Sequence, residues 1–125
     1  MLDEHDVRRI AMALPDVTEN DGDCYFRVNG DVFAWPWRER VHPGKPKVER
    51  RDVFVVPVDD LDEKAALIEG EPEYVFTEPH YDGYPAVLVR LSAIDEQRLA
   101  ELLADAREIV IEKAKRKRRR RSSRR

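Results

Sequence analysis

The sequence predicts an α+β sandwich, in which a mainly antiparallel sheet of about five strands carries the N- and C-terminal helices on one face. Three observations predict it. Apolar residues recur at helical spacing near both ends of the chain, alternating or β-branched runs fill the middle, and hairpin or loop signals join those runs, with one short helical segment among them. A chain of 125 residues, 42% of them apolar, is the size of one domain and buries a core without a disulfide or metal scaffold.

The first helix rests on Val7, Ile10, Ala11 and Leu14, which fall at i, i+3, i+4 and i+7. Asp3 is its natural N-cap, Glu4 and Asp6 suit the positive pole of the helix dipole, and Pro15 closes it. A polar turn over residues 16–23 follows. Cys24, Phe26 and Val28 alternate with Tyr25 and Arg27, and a second run over residues 32–37 resumes after Asn29-Gly30, a pair suited to a type I′ turn. Residues 53–58 form an apolar, β-branched run that suits a central strand. Between these runs, Pro43, Gly44 and Pro46 indicate a long loop or an extended hairpin tip.

Asp59 or Asp60 caps a short second helix with Leu61, Ala65 and Ile68 as its apolar stripe and Gly70 at its C-terminal end. Two further strands, residues 74–77 and 86–91, flank a loop over 78–85. The last helix starts near Asp95, with an apolar stripe of Leu99, Leu102, Leu103, Ala106 and Val110. The predicted domain is residues 1–112. Residues 113–125 hold ten Lys and Arg, no acid and nothing apolar enough to offset the entropy of ordering, so a disordered tail is expected after about Ala114.

Charge is segregated along the chain. The formal net charge is −3, yet residues 1–112 carry 13 basic and 26 acidic groups, a net −13. Within them, Arg38, Arg40, Lys45, Lys47, Arg50 and Arg51 stand against only Glu39 and Glu49, a local +4. The rest of the body is then −17, so the cations are concentrated at two places, this loop and the tail. Trp35 and Trp37 adjoin the basic loop. Their i, i+2 spacing puts them on one face, either stacking on bases beside phosphate-neutralising cations or buried in the core. The cationic tail, with Lys115, Arg116, Lys117, Arg118, Arg119 and Arg120 at its centre, suits displacement of counterions from a polyanion without base readout. Alternatively, it folds back on the acidic body.

Several kinds of chemistry lack a pattern. The acidic stretch at 16–23 fails as a calcium loop, since with Gly22 at position six, positions one and twelve are Val17 and Val28. His5, His42 and His80 lack zinc-site spacing, and one cysteine cannot complete a site, so neither metal nor cofactor is expected. No nucleophile elbow or glycine-rich phosphate loop occurs, and Cys24 reads as a buried structural thiol. His80, Tyr81, Asp82 and Tyr84 share one loop, the one constellation that could bear chemistry, with His80 as its catalytic group; the reading set against it, and favoured, is a packed aromatic turn. The lone cysteine and the absence of any apolar run near the ~20 residues of a membrane span suggest an intracellular, soluble chain.

The stretch EPEYVFTEPHYDGYPAVLVRL at 71–91 resembles the most characteristic part of the MmcQ/YjbR family of small bacterial proteins. Ala13-Leu14-Pro15 and the FRVNGDVFA hairpin at 26–34 resemble its opening elements, so the likeness covers about residues 2–110. It implies a CyaY-like fold, similar to the frataxin architecture, and DNA binding through a double wing of two hairpin loops. On this chain the wings are residues 38–51, which are basic, and 78–85, where Glu78 and Asp82 oppose phosphate and leave His80, Tyr81 and Tyr84 as contacts. Asp31 stands where family members often have a lysine. The expectation is a non-enzymatic, cytoplasmic DNA-binding protein, nucleoid-associated in that role, using its basic loop and tail with little sequence specificity. The alternative is a CyaY-like module that binds a basic protein or a small ligand through the acidic body and the His80 loop.

Overall fold

The computed structural model describes residues 1–123. The order is α1 (Glu4–Met12), β1 (Val17–Thr18), β2 (Phe26–Val28), β3 (Asp31–Glu39), β4 (Val48–Pro57), α2 (Leu61–Gly70), β5 (Val75–Phe76), a 3-10 turn (Pro79–Tyr81), β6 (Ala86–Arg90) and α3 (Glu96–Ser123). The strands form one antiparallel sheet in the order β1-β2-β3-β4-β6-β5. This is the predicted fold class, with six strands in place of about five. The added strand, β1, lies inside the expected polar turn, where Val17 is buried and pairs with Val28.

The helices begin where aspartates cap them. Asp3 Oδ1 accepts from the amides of His5 and Asp6 while Asp6 Oδ2 accepts from the Asp3 amide at 2.9 Å, a reciprocal capping box. Asp60 and Asp95 accept from the amides of Glu63 and Arg98, each at 2.8 Å. Asn29 and Gly30 turn β2 into β3 with φ of 53° and 85°, the left-handed pair that a type I′ hairpin needs. β3 and β4 extend into a long hairpin whose tip is residues 40–47, so β4 starts five residues before the predicted Val53. The register of this pair shifts between Pro36 and Trp37, where the proline has no amide to give to the ladder.

One face of the sheet holds the main core. Val7 and Ala11 of α1, Leu67 of α2, and Leu99, Leu102, Leu103 and Ala106 of α3 pack with Phe33, Phe54, Val56, Val87 and Val89. The opposite face carries Val53, Val55, Ala86 and Leu88 beneath Trp35, Trp37, Phe76 and Tyr81.

Two sequence expectations are corrected. The buried residues of α2 are Lys64 and Leu67, and Leu61 of the predicted stripe is 50% exposed. Lys64 is inside because its ammonium donates to the carbonyls of Tyr81 and Tyr84, tying α2 to the 77–85 loop. Gly70 is the last residue of α2, and Glu71 is the C-cap. The chain after Ala114 is helical through Ser123 rather than disordered. A helix already anchored by its leucines needs no new nucleus, Lys and Arg are good helix formers, and cations suit the negative pole of the dipole. Arg124 and Arg125 lie outside the described residues.

Leu88 is fully buried at the centre of the second face. Leu88→Ala is expected to lower the unfolding free energy by about 2–5 kcal/mol, read as a lower urea midpoint.

Candidate nucleic-acid interface

The cations of the β3–β4 hairpin fall into two groups. Arg50 Nε donates to Glu39 Oε1 at 2.8 Å, and Arg51 donates to Glu4 at 2.8 Å, to Glu49 at 3.3 Å and to the Gly22 carbonyl at 3.3 Å. Arg38, Lys45 and Lys47 have no acidic partner among the described residues, and Arg40 donates to the Lys45 carbonyl at 2.9 Å. Both hairpin acids are therefore neutralised by Arg50 and Arg51. The cations left for a ligand are Arg38, Arg40, Lys45 and Lys47.

Arg51 belongs to a network that fastens α1 to the 19–24 segment and to β4. Arg8 grips Glu19 through two nitrogens at 2.8 and 3.0 Å, and Glu19 also accepts from the Cys24 amide at 2.9 Å. These contacts hold Glu19 below the ordinary carboxylate range, chiefly through the Arg8 hydrogen bond, and Arg51 does the same for Glu4. Cys24 sits inside the network in a left-handed backbone conformation, φ 64°. Its thiol receives a contact from Arg8 at 3.4 Å and donates to Glu4 at 3.6 Å. Burial pushes that thiol up to about 11. The in-phase alternation of Cys24 with Phe26 and Val28 pointed to this burial, but not to the charged cage around it.

On α3, Lys115 pairs with Glu112 at 3.5 Å, whereas Arg116, Lys117, Arg118, Arg119 and Arg120 are exposed with no acidic partner among the described residues. Lys113 points inward and donates to the Val58 carbonyl at 3.2 Å. The basic end of α3 also forms a groove with Asp31, lined by Val110, Lys113, Arg116, Lys117 and Arg120.

The sheet register fixes where these features stand. The 40–47 tip joins β3 to β4, and Pro57 at the far end of β4 pairs with Ala86, the start of β6. The 77–85 loop and the Asn29-Gly30 turn therefore lie at the end of the sheet opposite the tip. The Lys113 contact with the Val58 carbonyl and the groove that α3 shares with Asp31 put the basic helix end there too. The two expected wings thus occupy opposite ends of the sheet and do not form one surface, and the two cationic elements are likewise separated.

His80 is exposed on the 3-10 turn, its ring edge-to-face with Tyr81 at 5.1 Å. Tyr81 folds back over the sheet, and its hydroxyl accepts from Trp35 Nε1 at 3.3 Å. Among the described residues no three His, Cys, Asp or Glu side chains converge on a metal site. The tryptophans do share a face, as their spacing indicated, and both remain partly exposed on it. Sequence reading missed what completes that face: Phe76, edge-on to Trp37 at 5.9 Å, and Arg90, whose guanidinium lies 3.7 Å from the Phe76 ring centre.

Comparison with known proteins adds a family and no activity. The YjbR family profile matches residues 12–109, which stops short of the cationic end of α3. An uncharacterized protein from Mycobacterium bovis and one from Mycobacterium tuberculosis are each 39% identical over 107 residues, covering 81% of this chain and 82% of theirs. No solved structure matches the chain significantly.

The two kinds of hairpin cation are separable by stability. Arg51→Gln is expected to destabilise the fold by up to about 1 kcal/mol in urea, while Lys47→Gln leaves the midpoint unchanged. Equal effects contradict the division. The Cys24 thiol, protonated at about pH 8, is expected to react with iodoacetamide far more slowly in the folded chain than in urea.

Proposed function

The chain belongs to the YjbR family, and from that membership we propose that it is a non-enzymatic DNA-binding protein that holds the phosphate backbone electrostatically and reads little sequence. The observation that carries the proposal is the cationic end of α3. From Lys113 to Arg121 the helix bears eight Lys and Arg and no acid, on a 28-residue helix about 42 Å long. Helical order adds to the sequence reading. A fixed helix presents its guanidinium and ammonium groups at 1.5 Å steps along a rod about 10–12 Å across, a width that suits the ~12 Å major groove. It also lowers the ordering cost on binding relative to a disordered tail.

The chemistry favours phosphate over base contacts. Base readout in the major groove draws on Asn, Gln and Arg placed among other side chains, and this segment is almost wholly Arg and Lys. The 40–47 tip, with Arg40, Lys45 and Lys47, and Arg38 beside it on β3 supply a second cationic patch at the opposite end of the sheet. Between them the body is anionic, so a duplex is held at the ends of the molecule and repelled from its middle. Acting this way, the protein works in the compartment that holds the nucleoid.

A second reading has its own observation. Asp59, Glu63, Asp105 and Glu108 surround an apolar floor of Leu67, Leu102 and Ile109 between α2 and α3. That combination suits a basic amphipathic segment of a partner protein.

The test of the first reading is a duplex titration with the full chain and with Arg116, Lys117, Arg119 and Arg120 all changed to Gln. These side chains are exposed, so folding is expected to be unchanged. The variant is expected to lose at least tenfold in affinity at about 50 mM salt, with its salt dependence shallower by about 0.9 for each phosphate contact removed. Undiminished affinity overturns the assignment to α3.

A further inference from the structure

We propose that the helix-free face of the sheet is a stacking platform for single-stranded nucleic acid, a ligand class that rests on and deepens the DNA-binding reading above. The face is built across four strands in register. Trp35 on β3 pairs with Val55 on β4, Val55 with Leu88 on β6, and Leu88 with Phe76 on β5. At about 4.8 Å between neighbouring strands, this row spans about 14 Å. Aliphatic side chains floor its middle and aromatic rings stand at both ends. Trp37 reaches across to meet Phe76 edge-on, and Tyr81 reaches back to Trp35. Tyr84, 50% exposed, extends the cluster through an edge contact with Tyr81 at 6.1 Å.

No α-helix contributes an apolar side chain to this cluster, since the buried apolar residues of α1, α2 and α3 belong to the other core. The floor residues Val53, Val55, Ala86 and Leu88 are nonetheless buried, because the rings themselves roof them. The roof is partly exposed, and its charge identifies what lies on it. Trp37 continues directly into Arg38 and the 40–47 tip, and the acids on the strands beside the tip, Glu39 and Glu49, are taken up by Arg50 and Arg51. Arg90 adds a guanidinium stacked on Phe76, within the aromatic surface. An aromatic surface continuous with an unneutralised cationic hairpin fits bases joined by phosphates. A duplex keeps its base faces stacked on each other and cannot use the rings, whereas a single strand lays its bases on them. Four-stranded sheets with exposed aromatics commonly hold two or three bases in this way.

On this face the charge also sets a direction. α3 and its cations pack from the other face, so the groups at the 77–85 end here are Glu78 and Asp82. The phosphates of a bound strand favour the hairpin end, with bases laid along the rings toward Tyr81 and Tyr84.

The experiment titrates the full chain with a short oligothymidylate and, separately, with a duplex, following anisotropy of the labelled nucleic acid and tryptophan fluorescence. Wild type is expected to bind the oligothymidylate with quenching of tryptophan emission. Trp37→Leu and Tyr84→Ala are each expected to weaken that binding by about tenfold, the scale of losing one base-stacking ring, with duplex affinity unchanged. Tyr84 is at the surface, so it decides the matter if Trp37→Leu unfolds. If both folded variants bind the oligothymidylate as wild type does, the platform is wrong while duplex binding through α3 stands. If wild type binds neither nucleic acid, the platform and the reading beneath it fall together.

Discussion

The molecule is organised by the two-residue period of β4 where it crosses the centre of the sheet. Val53 to Pro57 are all buried, and successive side chains go to opposite faces. Phe54 and Val56 enter the core that the three helices share, whereas Val53 and Val55 floor the aromatic face. A slip of one residue in the pairing of β4 with β6 would exchange these sets and leave both faces mismatched. The same pairing joins Trp35 to Phe76 through Val55 and Leu88, and it sends the hairpin tip and the 77–85 loop to opposite ends. The site geometry is thus a consequence of the register.

Electrostatics then divides the labour among the cations. Those near the body are consumed in holding it together: Arg8 by Glu19, Arg51 by Glu4 and Glu49, Arg98 by Glu71 at 2.6 and 2.8 Å. The contact with Arg98 holds Glu71 below the ordinary carboxylate range. Among the described residues, the exposed cations without acidic partners stand at the hairpin and on the last turns of α3, with Arg90, laid on Phe76, as the exception within the sheet. A net charge of −3 therefore describes a molecule with cationic extremities and an anionic middle.

Most of the fold was legible because its signals are local. The Asp3 cap, the Asn29-Gly30 turn and the leucine stripe of α3 each follow from a few adjacent residues. What was hidden depends on partners distant in sequence. Lys64 is buried by two loop carbonyls about twenty residues away in the chain, which no apolar stripe encodes, so of Leu61, Ala65 and Ile68 only Ile68 packs on the core. β1 is two residues long and exists only because β2 is there to pair with it. For the basic segment, the charge run argued for disorder, and the helix continued because α3 was already nucleated. At the site, the sequence lists the cations but has no means of separating Arg51, which is paired with Glu4 and Glu49, from Lys47, or of showing that the two expected wings lie at opposite ends of the sheet. The shared face of Trp35 and Trp37 was readable from their spacing. Its completion by Phe76 and Arg90 required the strand order.

The proposed hold of the cationic end of α3 on DNA phosphates is read from the salt dependence of duplex binding by the full chain. With six to eight phosphate contacts, log K against log salt concentration falls with a slope of about −5 to −7. A slope near zero, or no binding at about 50 mM salt, contradicts the account.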